Sequence, residues 1–421
     1  MHTAALLARL LLAAPLTAVA APAASAAPAA PASTRAVAGQ TAPAADGTQR
    51  DRRLGLRRAA SGASLTSGVV RVPSNVAVLG ITWDEGTGAG ARLTYRVERA
   101  GVWGPWQKAD VELCSDCGES AAAKRAGSEP IVVTDAQRAE VRLTATGAVR
   151  PRLTVIDPNA PSSAPISDTP FTAASAASAT KIGASAAGMA LSSTSSATAA
   201  KSARAASGQS SRWVAVPAGL GGPHIAMPVK RAGWRAARTH VTESLGAPRG
   251  VVVHHTAGTN NYSAAQVPGI LRGIQRFHIQ DRGWSDIGYN ALVDRFGRVW
   301  EGRPGGVGAP HRGAHAKGVN ETYLGFAYMG DTNAAPATQA GVDAMTDLIA
   351  WTSARYGFDP QGTLRVNGRS KPVVVGHYQV GSTSCPGKDL TRRLPTIRNR
   401  AAVLSDRYLA EGRERVAAGR R

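Results

Sequence analysis

Histidine and cysteine are the residue types here that can do chemistry, and they are unevenly spread. Eight of the nine histidines fall between His224 and His377, and of three cysteines only Cys385 lies outside the close pair Cys114 and Cys117. Cys385 stands in "GHYQVGSTSCPG" (376–387), eight positions after His377, while His254 and His255 close the apolar run "GVVVHH" (250–255). Zinc takes histidine nitrogen and cysteine thiolate, and a catalytic zinc site uses three protein ligands with one further position for water. His254 and His377 both stand at the end of an expected strand, where a rigid sheet edge holds ligand geometry. The Gly/Ser/Thr loop lets Cys385 curl back toward them. The same residues allow a second chemistry, with Cys385 as nucleophile, His377 or His255 as base, and a helix start at "KDLTRRL" beside the thiolate. An idle thiol oxidises outside the cell. Both readings explain why Cys385 is kept, and spacing alone leaves them open.

The elements that must position these residues read as mixed α/β from Trp213 onward. "GVVVHH", "YLGFAYMGD" and "KPVVVGHY" are apolar runs of strand length, and "YNALVDRFGRVWEGR" is a hairpin turning around Asp294 to Gly297. "VPGILRGIQRFHI" sets Ile270, Ile274 and Phe277 at helical spacing, and "TQAGVDAMTDLIAWTSARYGF" puts Val342, Met345, Leu348, Ile349 and Thr352 on one side of a second helix. A sheet with helices packed on it follows.

Upstream, the composition divides the chain. Arg9, the apolar stretch Leu10 to Ala20 and the small-residue sites at 18–20 and 24–26 read as an export signal over 1–26. Residues 27–66 read as a flexible leader rich in Ala, Pro and Thr. Residues 67–158 carry short alternating runs such as "AVLGITW", "RLTYRVE" and "RLTVID", a small antiparallel β-sandwich. Trp103 and Trp106 in "GVWGPWQ" are candidates for a ligand groove or for edge packing. Residues 159–212 are dominated by Ala and Ser and read as a disordered linker, with the catalytic domain over 213–421. Cys114 and Cys117 favour a small disulfide loop; they lack the second CxxC of a zinc site. The formal charge of +21 favours polyanionic partners. Export argues against nucleic acid and for anionic wall polymers, and no run is long enough for a transmembrane anchor.

The ordered motifs "VVVHHTAG" (251–258), "FHIQDRGWSDIGYNALVDRFGRVWEGR" (277–303), "GAHAKGVN" (313–320), "YLGFAYMGD" (323–331) and "GHYQVGSTSCPG" resemble the peptidoglycan recognition protein family, the type 2 N-acetylmuramoyl-L-alanine amidases. The resemblance covers roughly residues 220 to 405. The β-rich segment resembles accessory regions of exported actinobacterial amidases.

The resemblance implies an α/β zinc amidase domain behind a small all-β domain. One zinc per chain would be bound by His254, His377 and Cys385. It further implies Tyr289 and Thr383 as catalytic residues, Thr383 standing where other members carry Lys or Thr. Substrate contacts carry over to His255, Thr256, His278, Arg282, His315 and Asn320. The implied protein is a secreted, wall-associated hydrolase of the amide between N-acetylmuramic acid and L-alanine in peptidoglycan. The alternative is a recognition module that binds peptidoglycan without cutting it. With Thr383 in place of Lys, no strong acid for the departing amine is evident among the motifs. The loop after "EGR" also departs from the Gly-Trp continuation of many members, which leaves stem-peptide preference open.

Overall fold

The computed structural model describes residues 52–55, 57–58, 65–84, 87–112, 125–146, 150–160, 228–238 and 241–418. The expected export signal, Cys114, Cys117 and residues 161–212 of the expected linker lie outside the described residues.

Strand alternation decides the architecture of the N-terminal part. Twelve strands form two six-stranded antiparallel sheets. The first sheet contains β1 (Arg52–Gly55), β4 (Val76–Asp84), β8 (Val111–Glu112), β9 (Arg125–Ser128), β10 (Ile131–Thr134) and β12 (Arg152–Ile156). The second contains β2 (Arg57–Arg58), β3 (Leu65–Arg71), β5 (Ala89–Arg99), β6 (Val102–Trp103), β7 (Gln107–Ala109) and β11 (Arg138–Thr146). Strands β1 and β2 fall inside the stretch expected to be a flexible leader; β1 pairs with β12 and β2 with β3, so the sandwich starts earlier than its composition suggests. The arginine-rich "RRLGLRR" lacks the apolar alternation that marks a strand, and it is held through backbone pairing instead.

Strand β4 is buried along almost its whole length. Ala77, Leu79, Ile81 and Trp83 face the sandwich core, whereas Val76 and Val78 join Val132 and Ile156 in a second cluster outside it. Successive residues of a strand point to opposite faces, so both faces of this sheet are covered.

What covers the outer face is helix α1 (Val267–Gln280) of the second domain. Ile270, Leu271, Ile274 and Phe277 share the second cluster with those sandwich residues. The approach is close enough to need glycine on both sides. A Cβ on Gly80 would lie 1.9 Å from the Phe277 ring, and one on Gly273 would lie 2.4 Å from Val78. Polar ties add to it: Thr154 Oγ1 donates to Asp281 at 2.6 Å, and Arg272 and Arg276 donate to backbone oxygens of Pro158, Asp157 and Ala160. The sandwich is therefore seated directly on the second domain.

The second domain is a five-stranded mixed sheet in the order β15–β14–β16–β13–β19, with β13 (Gly250–His255), β14 (Ala291–Val293), β15 (Val299–Glu301), β16 (Tyr323–Tyr328) and β19 (Val374–Gly376). A small hairpin, β17 (Thr363–Val366) with β18 (Arg369–Pro372), stands apart. The expected hairpin around Asp294 to Gly297 is β14–β15. Helix α1 lies on one face of the sheet. Helices α2 (Gln339–Tyr356) and α3 (Lys388–Ala418) share one apolar cluster with the other face. Thr338 caps α2 by accepting from Gly341 N. Helix α3 begins at Lys388, where "KDLTRRL" reads as a helix start, and continues through Pro395 to Ala418.

Candidate metal centre

The parallel strands bring the histidines together by register. Val253 of β13 pairs with Gly376 of β19, so His254 and His377 occupy the next rung, at the C-terminal edge of the sheet. Beyond His377 the loop folds back: Val380 and Gly381 donate to the His377 carbonyl, and Tyr378 N donates to Cys385 O at 2.8 Å. Cys385 thereby returns to the sheet edge. One ligand atom from each of His254, His377 and Cys385 lies within 4.8 Å of the others, and all three residues are buried.

A hydrogen-bond chain sets the tautomers. The Tyr323 carbonyl only accepts, so His315, 3.2 Å away through Nε2, carries its proton there. His315 Nδ1 then accepts from His254 Nε2 at 3.0 Å. This leaves His254 Nδ1 unprotonated, 3.6 Å from Cys385 Sγ. A ligand histidine whose far nitrogen is held in this way is oriented for a metal. His377 Nδ1 is buried with no hydrogen-bond partner among the described residues. Cys385 Sγ accepts from His255 N at 3.4 Å. The unprotonated Nδ1 of His254, an imidazole nitrogen of His377 and a thiol within 4.8 Å of one another fit a zinc ion.

Burial keeps these rings neutral. It pushes His254 well below the ordinary histidine range, aided by repulsion from His377, His315 and His255. Burial likewise takes His315 down to about 3 and His377 to about 4. A depressed histidine resists protonation while the unfolded chain accepts protons below about pH 6.5, so the unfolded state binds more protons in that window. Stability of the metal-free protein should therefore be complete above about pH 6.5 and fall by several kcal/mol toward pH 4, at about 1.4 kcal/mol per unit of depression. Urea unfolding in chelator at pH 7, 6 and 5 checks this. A flat profile would contradict buried neutral rings.

Of the remaining candidate residues, all are enclosed except Thr383, which is half-buried. Tyr289 is 3% exposed, its ring centroid 5.3 Å from that of His254. Thr383 Oγ1 accepts from Cys385 N at 3.1 Å, so its own O–H is left to donate. The six expected substrate contacts are at most 5% exposed, and each has polar atoms engaged within the protein. His255 points opposite to His254, its Nδ1 accepting from Thr332 N and its Nε2 facing Asp110 at 3.0 Å. Thr256 Oγ1 accepts from Gly330 N, and Asn320 Oδ1 accepts from His315 N and Ala316 N. His278 Nδ1 accepts from Gly288 N and its ring lies on Trp284. Arg282 donates to Ser128 O of the sandwich. His315 serves the ligand His254, as above. These side chains are buried and bonded within the protein around the centre. Trp103 and Trp106 are both half-buried under the Arg96 guanidinium, as edge packing requires.

Two residues of the sandwich reach this centre, and neither was signalled by the sequence. Asp110 faces His255 and accepts from Ser384 at 2.9 Å. Burial opposes its charge, but His255, Ser384 and His377 outweigh burial and hold the carboxyl below its usual range. Glu129 Oε2 accepts from the Tyr289 hydroxyl at 3.1 Å. Each lies more than a hundred residues from its partner, beyond the reach of any local motif.

Comparison with known proteins adds the following. A family model described as N-acetylmuramoyl-L-alanine amidase matches residues 244–388, and one described as Rv3811 N-terminal galactose-binding domain-like matches residues 22–174. Peptidoglycan-recognition protein SC2 of Drosophila simulans is 37% identical over 150 residues, which span 35% of this chain and 73% of that protein. Peptidoglycan recognition protein 3 of Homo sapiens is 32% identical over 168 residues, 40% of this chain and 45% of that protein. Among solved structures, peptidoglycan recognition protein-LE in complex with tracheal cytotoxin, a monomeric diaminopimelic acid-type peptidoglycan, is 28% identical. It covers 41% of this chain and 94% of that one, with a TM-score of 0.36.

Proposed function

Because the chain belongs to the peptidoglycan recognition protein family, we propose that it is an exported zinc-dependent N-acetylmuramoyl-L-alanine amidase acting on peptidoglycan at the cell wall. The observation that carries this reading is the buried meeting of His254, His377 and Cys385, with the orphaned Nδ1 of His377 among them. These three residues would hold the ion. Zinc there supplies a Lewis acid for the amide carbonyl and lowers the pKa of water toward neutrality.

The chain's own residues do the rest. His315 and the Tyr323 carbonyl keep His254 in the ligating tautomer. The Tyr289 hydroxyl, beside the His254 ring, donates to Glu129 in the substrate-free site and would turn from it to donate to the oxyanion that develops on the carbonyl oxygen. Thr383 fixes the Cys385 loop through its oxygen and has its proton to donate to the same site. The enclosed centre keeps bulk water from weakening these interactions. Among the described residues no helix is long and apolar enough to cross a membrane, and the +21 charge favours attraction to anionic wall polymers.

Turnover of purified peptidoglycan by the full chain tests this. New L-alanine amino termini, identified by mass spectrometry, should vanish with chelator and return with zinc. The family relationship also supports a second reading, a module that binds peptidoglycan without cutting it. Tight wall binding with no new termini would establish that one.

A further inference from the structure

Hydrolysis of an amide must deliver a proton to a poor leaving group, and the motifs around Cys385 supply no acid for it. The structure brings two carboxylates to the centre from the sandwich. Asp110 is committed: its oxygens meet His255 and Ser384, and its charge is pinned by them. Glu129 is placed differently. It meets the hydroxyl of Tyr289, the residue read above as facing the reacting carbonyl.

The position of Glu129 is built, not incidental. It lies between β9 and β10, followed by Pro130, which restricts the backbone of the residue before it. Its N–H donates to the Asp110 carbonyl at 3.0 Å. On its other side, Ser128 accepts from Ile81 N through Oγ and from Arg282 through its carbonyl. Domain contacts that are small and polar allow relative motion, whereas large apolar ones do not. The contact here is an apolar cluster shared across α1, with Gly80 and Gly273 at van der Waals limits. A carboxylate carried on a surface so firmly seated is a resident of the site, not a lid in passage.

Resting on the amidase reading, we infer that Glu129, delivered in cis by the sandwich, is the general acid–base residue of the reaction. Its carboxylate accepts a proton from the attacking water as the water oxygen bonds to the carbonyl carbon. It returns that proton to the amide nitrogen as the carbon–nitrogen bond breaks. The lactyl acid and the free amine of L-alanine leave, and Glu129 is again a carboxylate. The Tyr289 hydroxyl holds the carboxylate in place before the carbonyl arrives and then turns to the carbonyl oxygen as charge develops there. The catalytic apparatus is thus composite, and the sandwich is part of it.

The test is Glu129→Gln in the full chain, isosteric and unable to carry the proton. Turnover should fall by about 100- to 10,000-fold. Melting temperature, zinc content and the fraction bound to insoluble peptidoglycan, the last measured also in zinc-free protein, should stay at wild-type values. In Glu129→Ala, added formate should restore part of the turnover, as a small carboxylate in the vacated space can carry the proton. Turnover of Glu129→Gln within about threefold of wild type, or above it, would overturn the inference, as would Glu129→Ala that formate does not rescue. Wild type active beside an equally active Glu129→Gln removes this inference alone. A wild-type chain that releases no L-alanine termini removes the amidase reading with it.

Discussion

Replacing Cys385 by serine is expected to empty the centre of zinc and to lower release of L-alanine termini by at least about a hundredfold. Zinc sites of four ligands bind with about 10–16 kcal/mol, so one ligand carries on the order of 3 kcal/mol. A serine hydroxyl stays protonated near neutrality and does not replace the thiolate. The metal-free fold should move by no more than about 1 kcal/mol, since serine has nearly the shape of cysteine. Zinc content by mass spectrometry and retention on insoluble peptidoglycan separate these effects: metal and turnover go, wall binding stays. A serine variant that keeps its zinc would overturn the ligand assignment. The rival thiol-nucleophile chemistry also predicts lost turnover, but the environment argues against it. Such thiolates are stabilised by a protonated histidine, whereas burial drives His377 toward its neutral form and His255 turns its ring nitrogens to Thr332 N and Asp110. Cys385 is also only 3% exposed.

The His/His/Cys set could be read in the sequence because each ligand lies at the end of an apolar run or in a short loop after one. Local pattern and register then agree, with Val253 opposite Gly376. His315 was read as a substrate contact, and its partnership with His254 depends on β13 and the 313–320 loop meeting in space. Asp110 and Glu129 could not be read at all, as each is an ordinary acidic residue next to a strand. One clue was present and unused. "VAVLGI" and "IVV" carry no polar side chain, and a strand that keeps only one face dry alternates. The unbroken run says that the outer face is covered too. The Ala/Ser-rich linker after it says nothing about how the two domains meet, and Asp157 and Ala160 dock on α1 ahead of most of that stretch.

Removal of the sandwich should accordingly be crippling. A fragment of residues 213–421 is expected to aggregate or to melt well below the full chain, and to lose turnover. Val76, Val78, Val132 and Ile156 are 0–2% exposed against α1. At about 1.5–3 kcal/mol for each fully buried side chain, the contact is worth up to about 6–12 kcal/mol. A domain has only about 5–15 kcal/mol to lose. The fragment would also present the apolar outer face of α1 to water, and it would lack Glu129 beside Tyr289. Val78→Asp in the full chain is the matching point change, placing an unpaired carboxylate against Gly273 at the centre of the contact. Calorimetric melting, light scattering and peptidoglycan turnover should all worsen together in both proteins. If the fragment instead melts cooperatively at the full-chain temperature and cuts at the full-chain rate, the sandwich is a passenger. The composite site would then be wrong at its root, because no carboxylate of the sandwich could be needed for a reaction that proceeds without it.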